Sequence, residues 1–225
     1  IYLIFCPSRE TISYLKEKKI FDKDKIKFLP DPIIFSDEIT EIKKKKINKK
    51  LVKNSFFLCI GRLTKQKNHK LMIDLYKNYK ISEKLYIIGD GELKNNLKNL
   101  IKKNKLEKKI SLMKYQKNIF YYIKYAKAVI IPSLWEDPGF VMIETAYSKK
   151  TLICSDCPSG PKEFLVNGRG GFLFKSNSLI SLKNSIQKFL NSDKKEISDK
   201  IIYAKKKSKI YTIKNHVKIL NNYLG

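Results

Sequence analysis

Short apolar runs alternate with longer amphipathic stretches along most of the chain. The runs predict strands at 2–6, 26–29, 56–60, 85–88, 110–113, 128–131, 152–154 and 172–174. Helical spacing of apolar residues predicts helices at 8–19, 68–79, 91–104, 119–125, 140–148 and 160–166, and three more near 178–191, 195–207 and 211–224. Apolar strands separated by helices are typical of parallel βαβ units. We therefore predict an α/β fold with a Rossmann-like, doubly wound parallel sheet.

A polar, Lys-rich segment divides this pattern into two unequal parts. Residues 1–35 read as a strand–helix–strand unit that ends at Pro30-Asp31-Pro32, because prolines cannot continue a strand ladder. Residues 36–54 are expected to be a linker, and the main α/β alternation occupies 55–208. Since the chain starts without Met and inside an apolar run, we interpret it as part of a longer protein.

The chain is strongly basic, with a formal net charge of +27. Such a charge suggests nucleic acid or an anionic membrane surface as a partner. Only Arg9, Arg62 and Arg169 among the 48 basic residues are Arg, whereas nucleic-acid readers favour Arg for bidentate contacts. We attribute most of the charge to A/T-rich codons and expect no nucleic-acid partner. Peripheral contact with an anionic membrane stays open.

The cysteines favour a reducing compartment over a metal or disulfide site. Cys6, Cys59 and Cys154 lie in apolar runs, where a free Cys acts as a small hydrophobe. Cys154 and Cys157 have the spacing of a redox or zinc motif, but no second Cys or His pair completes a zinc site. We expect reduced, structural cysteines, no bound metal and a cytoplasmic protein.

Two glycine turns follow predicted strands at one edge of the sheet. In the segment GRLTKQKN, residues 61–68, Gly61 permits a tight turn, and Arg62 and Lys67 follow just before a helix. Two cations beside a helix N-terminus suit a diphosphate, although a solvated basic loop has the same composition. The second turn, GDGE, contains Gly91 and is either part of the same site or an ordinary turn.

A pair of carboxylates carries the strongest local signal. Glu136 and Glu144 stand at the ends of EDPGFVMIE, with Glu144 inside the predicted helix. The amides of Gly139, Phe140 and Val141 lie at that helix N-terminus and suit phosphate oxygens, while carboxylates suit sugar and ribose hydroxyls. The alternative is a helix start with a solvent-facing Glu144. Glycines at 160, 168, 170 and 171 mark a further strand-to-helix junction.

Four motifs in order make the chain resemble the retaining glycosyltransferases of family four, which have the two-Rossmann GT-B architecture. They are GRLTKQKN, LYIIGDGEL, IIPSLWEDPGFVMIE and SGPKEFLVNGRGGFLF. The resemblance spans about 1–225, and KIKFLPDPI is similar to the closing strand of the family's N-terminal domain. It implies that 1–35 is a remnant of the acceptor-side domain, 55–208 binds the nucleotide sugar, and 209–225 is a crossover helix.

The resemblance also implies roles for individual residues. Arg62 and Lys67 would bind the donor diphosphate and stabilise the departing nucleotide, and Glu136 would hold the hydroxyls of the transferred sugar. The expected donor-binding residues are Gly61, Gly91, Lys114, Tyr115, Gly139, Phe140, Val141 and Glu144, with Glu144 at the ribose and Lys114 and Tyr115 near the base. Where the family usually has Ser-Phe-Gly, this chain has Asp137-Pro138-Gly139.

The implied reaction moves a sugar from a nucleoside diphosphate to an acceptor hydroxyl with retained anomeric configuration. By family frequency UDP is the expected nucleotide and GDP the alternative. The acceptor is expected to be a glycan or a lipid-linked glycan, made at the cytoplasmic face of a membrane. No metal cofactor is expected. Because the family takes its acceptor from the N-terminal domain, we expect this chain alone to bind donor but to transfer sugar poorly.

Two other functions are compatible with parts of the sequence. A sugar-nucleotide epimerase of the same architecture would share the phosphate site, although the Arg–Lys and paired-Glu combination argues against it. A basic nucleic-acid-binding module would use aromatic residues among lysines, and such residues occur at Tyr115, Phe120, Tyr121, Tyr122 and Tyr125. Their spacing is better explained by a packed helix and strand.

Overall fold

The computed structural model describes residues 2–37, 39–40 and 55–225, and its elements follow the predicted order. The strands are β1 (Ile4–Cys6), β2 (Ile26–Phe28), β3 (Phe56–Ile60), β4 (Lys84–Ile88), β5 (Ile110–Met113), β6 (Ala128–Ile131), β7 (Leu152–Ser155) and β8 (Phe172–Phe174). The helices are α1 (Arg9–Glu17), α2 (His69–Asn78), α3 (Lys94–Lys103), α4 (Ile119–Tyr125), α5 (Phe140–Tyr147), α6 (Pro161–Leu165), α7 (Leu179–Asn191), α8 (Lys194–Ser208) and α9 (Ile213–Leu224).

Six strands form one parallel sheet in the order β5-β4-β3-β6-β7-β8. The strand order reverses between β3 and β6, so the carboxyl ends of these two strands flank the crevice where such folds bind ligands. Successive side chains of β3 enter two different cores. Phe56 and Leu58 pack toward α4, α5 and α8, whereas Phe57 and Cys59 pack toward α2, α3 and α7. The predicted doubly wound α/β fold is confirmed.

A smaller unit stands beside the large sheet. It consists of the parallel pair β1–β2, in register from Ile4 opposite Ile26, with α1 packed against it. The last helix, α9, crosses to this unit. The Tyr223 hydroxyl donates to the Phe28 carbonyl at 3.3 Å, and a ring nitrogen of His216 lies 2.8 Å from the Pro30 carbonyl oxygen. The assignment of 1–35 to a preceding domain stays a prediction.

Most predicted boundaries hold to within one or two residues, and the largest difference is at α3. This helix begins at Lys94 rather than at Gly91, because the residues before Lys94 form a turn that is hydrogen-bonded to another loop. The Leu93 amide donates to the Leu63 carbonyl at 2.9 Å, which fastens the turn to the loop after β3. Residues 38 and 41–54 of the predicted linker lie outside the described residues.

The described residues contain no helix that is both long and apolar enough to cross a membrane. All four cysteines are buried and free. Burial raises the pKa of the Cys157 thiol to about 11. Since a thiol with a raised pKa is a poor nucleophile and a poor metal ligand at neutral pH, the structure favours a packing role for this residue.

Candidate functional site

A cavity of about 660 Å³ opens at the carboxyl edge of the large sheet, beside β3, β4 and β5. Six of the predicted site residues line it: Gly61, Arg62, Tyr115, Phe140, Val141 and Glu144. Glu136, Lys67, Gly139, Gly91 and Lys114 do not line it. The first three of these adjoin the cavity through the Lys67–Glu136 pair and the start of α5, Gly91 supports the loop after β3, and Lys114 is exposed.

The loop after β3 is held rigidly by its neighbour after β4. The Gly61 amide donates to the Ile88 carbonyl at 3.0 Å, and the Leu63 amide donates to the Asp90 carbonyl at 2.8 Å. At Gly91, where φ is +154°, an added Cβ would meet the backbone nitrogen of Leu63 at 2.8 Å. The structure therefore gives Gly91 a role in close backbone packing against the loop after β3, whereas an added Cβ at Gly61 would meet the Lys67 side chain at 3.3 Å.

Lys67 and Glu136 form a close ion pair between the loops after β3 and β6. The Lys67 Nζ lies 2.6 Å and 2.8 Å from the two carboxylate oxygens of Glu136. The Ser133 hydroxyl donates to the same carboxylate at 2.6 Å. The Glu136 side chain is 6% exposed and that of Lys67 is 17% exposed. The structure thus brings two predicted catalytic residues together, and each carboxylate oxygen has a charged donor.

Arg62 is exposed at the mouth of the cavity, and a glutamine holds it there. The guanidinium donates to the Gln66 side-chain oxygen at 3.2 Å, and the Gln66 side-chain nitrogen donates to the Trp135 carbonyl at 3.0 Å. The Gln66 carbonyl in turn accepts from the Leu134 amide at 2.8 Å. Two cations, Arg62 and Lys67, are therefore presented on one loop that is anchored to the loop carrying Glu136.

The N-terminus of α5 faces the same region. Gly139 has φ +94° and precedes the helix, and its carbonyl accepts the first helical hydrogen bonds, from Met142 and Ile143. The amides of Phe140 and Val141 precede those bonds and so have no acceptor within the helix. Together with the positive end of the helix dipole, they favour an anionic group at this end of the cavity.

Glu144 lies on the cavity side of α5 and is not the solvent-facing residue of the alternative interpretation. Burial raises the pKa of its carboxyl to about 7. A carboxyl group with this pKa exists in both protonation states near neutral pH. It can therefore accept a hydrogen bond from a ligand hydroxyl as a carboxylate or donate one as an acid.

The segment after β5 differs from the prediction in detail. Tyr115 lines the cavity with an exposed side chain, as a base-stacking residue would. The lysine that lines the cavity is Lys117 and not Lys114. The aromatic run that follows is largely core, because Phe120 and Tyr122 are buried and Tyr121 packs against Tyr122. This arrangement does not provide the exposed aromatic face that a nucleic-acid-binding module needs.

Several residues of the site were not predicted. Ile33, Phe35 and Ile39, from the segment after β2, form an apolar wall of the cavity, which no local pattern indicates. Ser133 supports Glu136, and its only sequence signal is its place directly after the strand-ending Pro132. His69 lies buried at the start of α2, where burial and nearby Lys67 lower its pKa to about 4 and keep it neutral.

Residues 2–37, 39–40 and 55–225 include no group of three or more His, Cys, Asp or Glu side chains that could hold a metal ion. The charges near the site are instead the cations Arg62 and Lys67 and the carboxylates Glu136 and Glu144. These residues can hold an anionic group and neighbouring hydroxyl groups on one ligand. Independence of metal stays a prediction.

Comparison with known proteins identifies the family of the chain. The family model described as "Glycosyl transferases group 1" matches residues 40–208. The chain is 31% identical, over 157 residues, to the Campylobacter jejuni N-acetylgalactosamine-N,N'-diacetylbacillosaminyl-diphospho-undecaprenol 4-alpha-N-acetylgalactosaminyltransferase. That match covers 70% of this chain and 43% of the relative.

A second relative covers more of the chain. The Escherichia coli UDP-Gal:alpha-D-GlcNAc-diphosphoundecaprenol alpha-1,3-galactosyltransferase is 28% identical over 223 residues, which are 90% of this chain and 57% of the relative. The chain thus spans about half the length of the relatives that it matches. The crystal structure of Anabaena Alr3699/HepE in complex with UDP has a TM-score of 0.82 at 16% identity, covering 99% of this chain and 63% of that chain. This likeness establishes the GT-B type of fold.

Replacing Lys67 with Met is expected to cost about 3 kcal/mol of unfolding free energy, because it leaves the buried Glu136 carboxylate without its cation. Glu136→Gln should cost less, since the Lys67 ammonium can turn toward solvent. Urea unfolding at pH 7 measures both. The matched control is Lys70→Met, which breaks the exposed pair with Asp74 and should change stability by no more than about 0.5 kcal/mol. Equal effects of Lys67→Met and Lys70→Met would contradict the prediction.

Replacing Glu144 with Gln is expected to change the pH dependence of stability. The folded-state pKa of about 7 lies above the ordinary value of 4.5, so the wild type loses stability as the pH rises from 4.5 through 7. Glu144→Gln should remove this loss and be more stable than the wild type by roughly 1–3 kcal/mol at pH 8, with little difference at pH 4.5. Urea unfolding across this range measures it, with the exposed Glu92→Gln as control. Parallel curves for the wild type and Glu144→Gln would refute it.

Proposed function

Because the chain belongs to the glycosyl transferases group 1 family, we propose that it binds the nucleoside-diphosphate sugar of a retaining glycosyltransferase. UDP is the expected nucleotide. The observation that carries the proposal is that a cavity lined by Arg62, Glu144 and the N-terminus of α5 adjoins the Lys67–Glu136 ion pair at the reversal of strand order. The named relatives include a UDP-galactose transferase, and one solved structure of the same fold contains UDP.

In this proposal the diphosphate lies between the loop after β3 and the N-terminus of α5. Arg62 and Lys67 supply two positive charges, and the amides of Phe140 and Val141 supply hydrogen-bond donors without partners in the helix. Arg can contact two phosphate oxygens at once, whereas Lys acts as a point charge. This set of donors can bind a diphosphate without a divalent cation, so we propose binding that is independent of metal.

The nucleoside would occupy the apolar part of the cavity. Glu144 is positioned to bind the ribose hydroxyls from α5, and Tyr115 offers an aromatic face near the base. Ile33 and Phe35 close the opposite side. An apolar cavity with few polar groups at defined points is the usual form of a small-molecule site.

The sugar would lie against Glu136, whose carboxylate is next to Lys67. During transfer, the bond between the anomeric carbon and the β-phosphate oxygen breaks, and its electron pair stays on the diphosphate. The acceptor oxygen forms the new bond on the same face of the sugar, and its proton passes to a phosphate oxygen of the leaving group. Arg62 and Lys67 stabilise the negative charge that develops on the leaving diphosphate.

The acceptor of the whole protein is proposed to be a glycan or lipid-linked glycan, as in the names of the Campylobacter and Escherichia relatives. Lipid-linked substrates would bring the protein to the cytoplasmic face of a membrane. The many lysines would then favour an anionic lipid surface, at roughly 1 kcal/mol for each one placed near it.

Isothermal titration calorimetry with UDP and then GDP, each with and without Mg²⁺, tests the donor site. We expect binding of UDP that Mg²⁺ does not change. Arg62→Ala should weaken this binding about 10- to 100-fold, because a charge-assisted contact to the diphosphate is lost. The control is Arg169→Ala, whose guanidinium lies over the Tyr203 ring on α8. Absence of binding to either nucleotide, or equal effects of the two substitutions, would argue against the site.

We also expect the chain alone to release very little sugar to an acceptor, because it spans about half of the proteins that it resembles. The measurement is transfer from radiolabelled UDP-sugars to a lipid-linked acceptor, with nucleotide binding checked on the same sample. Transfer well above the buffer blank would show that the chain already contains the residues that bind the acceptor.

A further inference from the structure

The N-terminus of α1 is hydrogen-bonded to two loops of the large sheet, those after β6 and β7. Four side chains make these contacts, and we call them the clasp: Glu10, Thr11, Asp137 and Glu163. Glu10 and Thr11 belong to α1 of the small unit. Asp137 follows Glu136 in the loop after β6, and Glu163 lies in α6, directly after the loop that follows β7. The clasp is separate from the residues that line the proposed donor cavity.

Glu163 caps α1 from a distant part of the chain. Its carboxylate accepts from the Arg9 amide at 3.1 Å and 3.3 Å and from the Glu10 amide at 3.3 Å. Ser8, the local cap, accepts from the Thr11 amide at 3.1 Å. The carboxylate therefore satisfies first-turn amides that the helix cannot satisfy itself, and it lies at the positive end of the helix dipole.

The contacts run in both directions. The Glu10 carboxylate accepts from the Ser159 amide at 2.6 Å. The Thr11 hydroxyl donates to the Asp137 carboxylate at 3.0 Å. The Thr11 hydroxyl also accepts from the Ser8 hydroxyl at 2.8 Å, so it links the local helix cap to Asp137. Both loops are thus attached to α1 by side chains that face one another.

Glu136 lies in the loop after β6, one of the two loops that the clasp contacts. The Glu136 amide donates to the Pro158 carbonyl at 3.2 Å, which joins the two loops directly. At Gly160 an added Cβ would lie 2.7 Å from the Pro138 carbonyl oxygen and 3.1 Å from the Glu136 Cβ, so the loops are in tight contact. A shift of either loop would therefore move Glu136.

The far side of these loops borders a second cavity. Pro138 and Gly160 border a cavity of about 590 Å³ between α1 and α9, whose lining also includes Arg9, Lys207 and Tyr223. Pro138 and Gly160 are themselves buried, so both packing and the clasp act on these loops. The clasp crosses from α1 at the edge of this cavity.

We propose that the clasp residues are positioning residues that hold Glu136 against the transferred sugar. This rests on the proposed function, because it assigns Glu136 to the sugar. The clasp does not touch the nucleotide, so its loss should reduce the part of the affinity that the sugar contributes and leave nucleotide affinity unchanged. A purely structural role would change stability, or both affinities together.

The test compares the affinity for UDP with that for the UDP-sugar that binds most tightly among UDP-glucose, UDP-galactose and their N-acetylamino counterparts. In the wild type the sugar should increase the affinity. Thr11→Val and Glu163→Gln should each reduce that increase about fivefold, the effect of about one hydrogen bond, and leave UDP affinity within about twofold. Glu17→Gln, at the exposed end of α1, is the control and should change neither affinity.

Amide hydrogen exchange provides a second measurement that needs no ligand. The Glu136 amide should exchange faster in Thr11→Val and in Glu163→Gln than in the wild type or Glu17→Gln, because its bond to Pro158 opens more often. Unchanged exchange, or an unchanged sugar contribution in the clasp variants, would overturn the proposal. So would a wild type that binds UDP and UDP-sugar equally. A wild type that binds neither nucleotide would instead refute the proposed function.

Discussion

The buried ion pair between Lys67 and Glu136 joins the two halves of the large sheet where its strand order reverses. Lys67 follows β3 and Glu136 follows β6, so the pair bridges loops from neighbouring strands that are distant in sequence. A carboxylate that is almost fully buried is costly without a cation, and the pair therefore fixes the separation of these loops. The exposed Arg62 and the N-terminus of α5 take their positions from the same two loops.

Parallel strands impose the second constraint, because all their carboxyl ends lie along one edge of the sheet. The loops there are tied to one another by main-chain hydrogen bonds, such as those from Leu63 to Asp90 and from Leu93 to Leu63. Charged side chains on such loops are held before any ligand arrives. In the proposed function, such preorganisation would let the cations stabilise charge on the leaving group without reorganising during the reaction.

The N-terminal part of the chain contributes both to the cavity and to the contacts beside Glu136. Ile33 and Phe35 form one wall of the cavity, and Glu10 and Thr11 contact the loops behind Glu136. The last helix, α9, crosses onto β2 and holds the two units together, because Tyr223 contacts the Phe28 carbonyl and His216 contacts the Pro30 carbonyl. A site divided in this way is sensitive to how the units are placed.

The sequence by itself determined the order of elements and the parallel sheet, because apolar periodicity and glycine turns are local signals. It also singled out Arg62, Lys67 and Glu136 in loops after strands and Glu144 in the helix that follows. Only the tertiary structure decided that Lys67 and Glu136 pair, that Lys117 rather than Lys114 lines the cavity, and that Thr11 meets Asp137. Such contacts join residues far apart in the chain, and they depend on loop geometry and burial, which leave no periodic trace in a sequence.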